Sequence, residues 1–209
     1  MSRKAEIPKF IEKVSRFYTL FLIIQVFVVS IEYHYIIGVL FLYLQPPIIW
    51  RVVRSIWGQP EGISYLGNKT KNGNLWWVAF HLQQIFNTFH FLEQALTLIP
   101  GAYSSWLRLW GSQIGEKVNW TPECRVVDRT HMNIGKRVLV GNHSYLAAHA
   151  IKKRDDKYLL YVKEVEIGDD VVLSYRVTIA PGAKVLAGSF IEAGKAVYPN
   201  QTSDRNDKA

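Results

Sequence analysis

Cysteine is almost absent from this sequence of 209 residues, which contains a single copy, Cys124. One cysteine excludes an internal disulfide, and no second thiol is present to build a cysteine metal site. We expect Cys124 to be a small, packed side chain.

The sequence also lacks a glycine-rich phosphate loop of the Walker or dinucleotide-binding type. Acidic residues are in deficit, 17 against 25 basic ones, which leaves a formal net charge of +8. The basic residues cluster beside apolar segments, and no nucleic-acid-binding motif accompanies them. We therefore expect membrane lipids, and not nucleic acid, to be the partner of this charge.

No uninterrupted apolar run reaches the roughly 20 residues that a membrane-crossing helix needs. Within residues 17–50, an apolar run is interrupted by Glu32-Tyr33-His34-Tyr35 and resumes up to Pro46-Pro47. The pattern fits a re-entrant hairpin bent at either place, or one longer tilted helix. A buried hairpin in a soluble core is the remaining alternative. Basic residues on both sides favour a membrane hairpin with both ends in the cytoplasm.

Residues 76–99 have the spacing of one amphipathic helix. Its apolar face is formed by Val78, Leu82, Ile85, Phe86, Phe89, Leu92, Leu96 and Ile99. Its polar face is formed by His81, Gln84, Asn87 and Glu93. Such a helix lies along an apolar surface and does not cross a bilayer. We expect that surface to be either the membrane or the rest of the protein.

The last third of the chain has an aliphatic residue at every sixth position. These residues are Ile134, Val140 and Leu146, and then Ile167, Leu173, Ile179, Val185, Ile191 and Val197. Neither a helix nor an alternating strand has a period of six. It fits a chain that turns a corner after each short strand, with three strands in each turn of a triangular coil.

This repeat resembles the hexapeptide-repeat acyltransferases, and within them the maltose, galactoside and colanic-acid type O-acetyltransferases. The resemblance lies in IGKRVLVGNHSYLAAHAI and VEIGDDVVLSYRVTIAPGAKV and covers about residues 112–200. It implies a mainly β fold, a left-handed parallel β-helix that packs as a homotrimer. We expect this domain at 105–209, after a helical, membrane-associated region at 1–104.

Acyl transfer to a hydroxyl needs a base near neutral pH, and histidine is suited to that role. A regular coil has few free amides to stabilise an oxyanion, so we expect the site where the repeat breaks. It breaks after Ala150, at the charged run from Lys152 to Lys157. His149 stands just before the break, where the resemblance also implies a catalytic histidine, although Ala147 and Ala148 replace the family's usual polar run.

Other residues compete for roles in this site. His131 falls where the period slips from six to eight, so it is a second candidate base, or else a candidate to bind the acceptor or to position the base. Asp128 is a candidate to orient an imidazole by accepting its second N–H, as is Glu123. His143 is a third candidate base, and with Asn142 it is a candidate to bind the acceptor.

The resemblance implies coenzyme A as acyl donor, in a groove along the last turns of the coil. The positions that match are Tyr175, Ala180, Ala193, Gly194 and Lys195. We expect acetyl-CoA or another acyl-CoA as co-substrate, with no permanently bound cofactor and no metal.

The sequence thus favours a membrane-anchored O-acyltransferase whose catalytic domain faces the cytoplasm. Its acceptor is expected to be a lipid-linked or amphiphilic hydroxyl compound, because an anchored enzyme meets a membrane-held acceptor at high effective concentration. A metal hydratase of the γ-carbonic-anhydrase kind is an alternative, with zinc held by His131, His143 and His149. A non-catalytic scaffold at the membrane is a third possibility.

Overall fold

The computed structural model describes residues 7–66 and 71–203. Within them, six helices and one strand precede the repeat: α1 (Lys9–Ser15), α2 (Tyr18–Glu32), α3 (Tyr35–Trp57), β1 (Gly62–Leu66), α4 (Lys71–Thr88), α5 (Phe91–Thr97) and α6 (Ala102–Trp110).

The apolar segment forms a helical hairpin, because α2 and α3 are joined by Tyr33 and His34 alone. His34 caps α3 by accepting the backbone N–H of Ile36 at 3.3 Å. The two helices touch at Gly38, where a Cβ atom would lie 1.9 Å from the Ser30 hydroxyl oxygen. By length and composition, α3 is apolar enough to cross a membrane, whereas α2 is shorter.

The proline pair does not end the helix, although it was one of the two expected bends. Pro46 and Pro47 lie inside α3. A proline has no N–H to donate, so Pro47 leaves the carbonyl of Tyr43 without its helical partner. The indole N–H of Trp106 in α6 donates to that carbonyl at 2.9 Å instead. The helix continues because a side chain from another helix replaces the missing bond.

The prediction of one helix over 76–99 is wrong. The segment contains α4, which begins at Lys71, and α5, with a break at Phe89 and His90. Glu93, assigned to the polar face, is 2% exposed. The break turns α5 so that Glu93 faces buried polar partners instead of solvent.

Fifteen short strands follow α6. They are β2 (Gln113–Ile114), β3 (Asn119–Trp120), β4 (Arg125–Val126), β5 (Met132–Ile134), β6 (Leu139–Val140), β7 (Tyr145–Leu146), β8 (His149–Arg154), β9 (Lys157–Val162), β10 (Val165–Ile167), β11 (Val172–Leu173), β12 (Thr178–Ile179), β13 (Lys184–Val185), β14 (Phe190–Ile191), β15 (Ala196–Val197) and β16 (Thr202–Ser203).

Thirteen of these strands form three parallel sheets through which the chain passes in turn. Sheet I has the order β16-β13-β10-β5-β2, sheet II β14-β11-β6-β3 and sheet III β15-β12-β7-β4. The nine aliphatic residues of the repeat are all buried. The expected combination of parallel sheets with preceding helices is confirmed.

The corners between sheets have a left-handed backbone at every sixth residue. The residues with positive φ there are Lys117, Glu123, Arg137, His143, Asp170, Arg176, Gly182, Gly188, Gly194 and Asn200, each three residues after an inward side chain. Among the described residues, two equivalent corners, at Arg129 and His149, lack this conformation. Both belong to the edge that joins sheet III to sheet I.

The predicted break in the repeat is an antiparallel hairpin. Strands β8 and β9 pair with each other, and β9 also pairs with β1 in a three-stranded sheet of order β1-β9-β8. The segment after α3 therefore holds the inserted hairpin in place. Trp76 of α4 packs against Leu160 and Val162 on the same sheet.

The helices and the parallel sheets share one buried apolar cluster, which runs from Ile7 to Val197. The end of α3 is tied to the end of α6 by two arginines. Arg51 donates to the carbonyls of Arg108 and Leu109 at 2.7 and 2.8 Å, and Arg54 donates to that of Gly111 at 3.0 Å. The predicted boundary between residues 104 and 105 falls inside α6, and the division into two domains stays a prediction.

Close stacking of the turns gives a test at Gly141. A Cβ atom there would lie 2.3 Å from the carbonyl oxygen of Ser174 in the next turn. We expect Gly141→Ala to lower the free energy of unfolding by about 1–3 kcal/mol. Gly188→Asn is the matched control, since its corner has no atom within 4 Å of a Cβ and Asn200 already occupies an equivalent one. Urea unfolding of both variants measures the difference, and equal losses would contradict the close stacking.

Candidate active site

His149 and Asp128 lie at the two irregular corners of the coil. His149 begins β8, where the chain leaves the repeat for the hairpin, and Asp128 lies in the connection from β4 to β5, where the period slips. Because both interruptions fall on the edge between sheets III and I, residues 21 positions apart meet in adjacent turns.

The two side chains form a hydrogen-bonded dyad. The Nδ1 atom of His149 lies 2.7 Å from Oδ2 and 2.9 Å from Oδ1 of Asp128. The backbone N–H of Ala148 donates to the same carboxylate at 2.7 Å, which fixes its orientation. An ionised carboxylate only accepts, so Nδ1 carries a proton and the lone pair of the neutral ring is on Nε2.

Burial and charge act in opposite directions on this dyad. Burial favours the neutral carboxylic acid, but the hydrogen bond and charge of His149 outweigh it and lower the pKa of Asp128 below its usual value. Burial likewise favours the neutral imidazole, yet the hydrogen bond to Asp128 raises the pKa of His149 above 6.5. The result is an imidazole that is more basic than a free one.

His149 opens onto a cavity of about 280 Å³ between the helices and sheet III. The helical region contributes Phe80, Phe86, Asn87, His90 and Glu93, and the coil contributes Arg125, Val126, Val127 and Tyr145. The ring of Trp76 lies 4.8 Å from the imidazole, centre to centre. No described residue hydrogen-bonds to the Nε2 atom of His149. Each half of the chain therefore forms one wall of a cavity with a basic nitrogen beside it.

A buried ion pair that the sequence analysis did not foresee lies next to the dyad. The Nε atom of Arg129 donates to Glu93 at 2.6 Å, and both side chains are almost fully buried. Arg129 also donates to Asn87 at 3.0 Å through its side chain and to Gln83 at 2.7 Å through its backbone N–H. These bonds fix the backbone beside Asp128 to α4 and α5.

The structure does not bring His131 to the cavity, although it was a candidate base. His131 is 1% exposed. Its Nδ1 atom lies 2.6 Å from the Thr130 hydroxyl and its Nε2 atom 2.8 Å from the carbonyl of Pro60. With both ring nitrogens engaged and the ring buried, His131 supports the fold behind the dyad. Glu123, the other candidate to orient the imidazole, does not bond to His149; its backbone N–H bonds to Gln94.

Several of the predicted binding residues lie on one edge, between sheets II and III. The backbone N–H of Arg176 donates to the carbonyl of Asn142 at 2.9 Å, and that of Gly194 donates to the carbonyl of Tyr175 at 2.8 Å. His143 packs edge-on against Tyr175, with ring centres 5.6 Å apart. The predicted residues on this edge are exposed and lie at successive turns. We call this set the corner row; it consists of Asn142, His143, Tyr175, Ala193 and Gly194.

The backbone N–H groups of three predicted coenzyme-binding residues, Ala180, Gly194 and Lys195, already donate within the coil. Ala180 donates to the carbonyl of Val197 at 3.0 Å, and the amide of Gly194 is used in the corner row. Lys195 pairs with Glu192 at 3.6 Å. A ligand at Ala180, Gly194 or Lys195 therefore meets side chains and carbonyl groups, and not a free backbone N–H.

A larger cavity, of about 530 Å³, lies between α6 and the first turn of the coil. Its polar groups include Arg108, Lys117 and Asn119, with Trp120 beside them. It contains no hydrogen-bonded base, so the smaller cavity is the better candidate for chemistry. Across residues 7–66 and 71–203, no three His, Cys, Asp or Glu side chains are grouped to hold a metal ion.

No protein-family model matches the chain, and no curated protein matches it. Among solved structures, the chain is similar to a maltose O-acetyltransferase from Clostridium difficile 630, at 18% identity, with a TM-score of 0.40 and coverage of 57% of this chain and 82% of that one. It is also similar to a hexapeptide-repeat-containing acetyltransferase from Vibrio cholerae O1 biovar eltor in complex with acetyl coenzyme A, at 17% identity, with a TM-score of 0.40 and coverage of 58% and 82%. Similarities of this size do not establish an activity for the chain.

The dyad gives a direct test by NMR titration of the imidazole. In the wild-type protein we expect the pKa of His149 to lie above 6.5, because the carboxylate of Asp128 stabilises the imidazolium form. In Asp128→Asn the charge is gone and burial dominates, so the pKa falls below 6.5. The His149→Gln spectrum identifies the resonance, and a pKa unchanged by Asp128→Asn would show that the two side chains do not interact.

Proposed function

We propose that this protein is an acyl-CoA-dependent O-acyltransferase, with acetyl-CoA as its expected donor. The observation that carries the proposal is the His149–Asp128 dyad, whose histidine lines the 280 Å³ cavity and has no hydrogen-bond partner for Nε2 among the described residues. A histidine oriented and made more basic by a buried carboxylate is suited to remove a proton from an alcohol.

In the proposed reaction, the acceptor hydroxyl gives its proton to Nε2 of His149 as its oxygen attacks the thioester carbonyl carbon. Asp128 stabilises the imidazolium that forms. The tetrahedral intermediate then collapses, the carbon–sulfur bond breaks, and His149 returns the proton to the coenzyme A thiolate. The products are an ester and free coenzyme A.

The cavity supplies polar groups for the acceptor and for the developing oxyanion. Arg125, Tyr145 and Asn87 line it together with His149. A guanidinium group and a phenol hydroxyl donate hydrogen bonds to a negatively charged oxygen, and an amide both donates and accepts. We assign these three residues to oxyanion stabilisation and acceptor binding.

Coenzyme A is proposed to lie along the corner row and Lys195, and to reach Ala180 on the edge between sheets III and I. The exposed ring of Tyr175 and the adjacent guanidinium of Arg176, 4.9 Å from that ring, form an aromatic and cationic surface. Such a surface suits an adenine ring and its phosphates. Asn142 and His143 lie in the same turn of the coil as His149, so they are proposed to contact the acyl end of the coenzyme or the acceptor.

The three parallel sheets are proposed to wind as the left-handed β-helix that the repeat resembles, and three copies are proposed to associate. The corner residues with positive φ at every sixth position support the winding. The outer face of sheet II carries Leu139, Val172 and Phe190 in register. An apolar strip of this kind favours packing against another subunit.

We also propose that the helices hold the enzyme at the cytoplasmic face of a membrane, where its acceptor is lipid-linked or amphiphilic. The support is the apolar hairpin of α2 and α3, much of whose surface is exposed. One contact connects it to the cavity: the hydroxyl of Tyr43 in α3 donates to the carbonyl of Leu92 in α5 at 2.7 Å. An anchor attached to the cavity wall makes sense when the acceptor is held in the same membrane.

Transfer assays on variants test the chemistry. His149→Ala is expected to lower kcat/KM by about 10²–10⁴-fold, the usual contribution of a general base. Asp128→Asn is expected to lower kcat/KM less. Because the base must be neutral to act, and because loss of the carboxylate lowers the pKa of His149, we also expect kcat/KM to rise at a lower pH in this variant. His143→Ala serves as the control and is expected to change KM more than kcat. Full activity in His149→Ala, or loss of kcat only in His143→Ala, would overturn the assignment.

Lipid analysis tests the acceptor. Mass spectra of lipids and glycolipids are compared between cells that carry the wild-type gene and cells that carry His149→Ala. We expect one amphiphilic compound to lose an acyl mass in the variant. If the lost mass appears only on water-soluble compounds, the acceptor class is wrong while the transferase activity stands.

A further inference from the structure

The helices α1 and α2 carry an exposed apolar stripe along one side. Its members are spaced alternately four and three residues apart: Phe10, Val14, Phe17, Phe21, Ile24, Val28 and Ile31. Each is at least 42% exposed. Residues at this spacing share one face of a helix, so the stripe continues from α1 into α2.

Helix α3 carries a second exposed stripe. It consists of Ile37, Leu40, Leu44, Ile48, Val52 and Ile56, and it runs almost the whole length of the helix. The other face of α3 packs against the protein through Pro46, Trp50 and Val53. The helix is thus covered by protein on one side and bare and apolar on the other.

The contacts of α3 with the rest of the protein extend over most of its length. They begin at Tyr43, which bonds to Trp106 and Leu92, and end at Arg51 and Arg54, which bond to the end of α6. On its N-terminal side, only the segment from Tyr35 to residue 42 extends past these hydrogen bonds, and its last two residues, Phe41 and Leu42, still pack against the shared apolar cluster. At about 1.5 Å per residue it is about 12 Å long, against about 30 Å for the hydrocarbon core of a bilayer.

We propose that α1, α2 and α3 lie flat in one leaflet of the membrane and that α3 does not cross it. This rests on the membrane association proposed above and names its geometry. In this arrangement both stripes sit among the acyl chains. The polar turn of Glu32 and His34 then stays at the headgroup level, instead of at the bilayer centre, where charged groups are costly.

The partner that fits this surface is an anionic lipid leaflet. Lys13 and Arg16 are exposed beside the first stripe, and Arg51 is exposed beside the second. Basic side chains that border an apolar helical face bind headgroups of negative charge while the apolar face enters the acyl region. The net charge of +8 acts in the same direction.

The single cysteine makes a labelling experiment possible in the full-length protein. Cys124 is 1% exposed, and burial raises the pKa of its thiol to about 12, so it does not compete for maleimide reagents. We would introduce His34→Cys at the turn, Leu44→Cys in the α3 stripe, and Asp155→Cys at the tip of the β8–β9 hairpin as control. Each variant is labelled with a fluorescent nitrobenzoxadiazole (NBD) maleimide and bound to the outside of sealed phosphatidylcholine–phosphatidylglycerol vesicles.

Dithionite, which destroys the NBD fluorophore and does not cross membranes, is then added outside. We expect the labels at residues 34 and 155 to be destroyed at once, and the label at residue 44 to be destroyed about tenfold more slowly. A label at residue 34 that survives until the vesicles are lysed would mean that the hairpin crosses. A label at residue 34 that is destroyed as slowly as the label at residue 44 would mean that the turn lies deep in the bilayer. Either result overturns the flat arrangement.

Two other outcomes also decide against the proposal. The first concerns the rate at which the label at residue 44 is destroyed. If this rate becomes fast as the lipid-to-protein ratio rises, a second copy of the chain covers the stripe instead of lipid. If none of the variants sediments with the vesicles, the membrane association itself fails. The transferase assays on His149 variants are unaffected by either outcome, so the chemistry and the geometry fail separately.

Discussion

The buried ion pair between Arg129 and Glu93 joins the two halves of this molecule. Each side chain is inaccessible to solvent, and an unpaired charge in that position is strongly destabilising. The helices are therefore not an optional attachment to the parallel sheets. Arg129 follows Asp128 directly, and its backbone N–H is held by Gln83 of α4. The carboxylate that orients His149 is positioned by the same contacts that attach the helical region.

Regular repetition and chemistry occupy separate parts of the coil. Where the six-residue repeat is intact, left-handed corner residues and inward aliphatic side chains leave few polar groups free. Where it fails, at the corners of Arg129 and His149, polar side chains turn inward and a carboxylate is buried. Such a site costs stability, which the long apolar stack on either side offsets. The irregular edge is where the cavity forms.

The sequence is sufficient to predict what depends on local spacing. The inward aliphatic positions, the break after Ala150 and the turn within Glu32–Tyr35 all follow from periodicity and its interruptions. What depends on distant partners is not predictable in this way. Helical spacing alone assigns Glu93 to a polar, solvent-facing side of the helix. Its buried partner, Arg129, lies 36 positions later, where local spacing gives no sign of the pairing. The ring of His131 is engaged by a carbonyl 71 positions earlier, which removes it from the cavity. The proline pair is a possible bend from the sequence alone, because local spacing does not show that Trp106 donates a hydrogen bond to the carbonyl of Tyr43.

The bond between Trp106 and the carbonyl of Tyr43 has a consequence for biosynthesis. A ribosome makes the chain from its first residue onward, so α3 emerges while its partner, 63 positions later, does not yet exist. During that interval the carbonyl of Tyr43 lacks its bond from Trp106, and α3 lacks the cover that the later helices provide. The hairpin of α2 and α3 therefore gains this hydrogen bond, and the cover of the later helices, only after α6 has been synthesised.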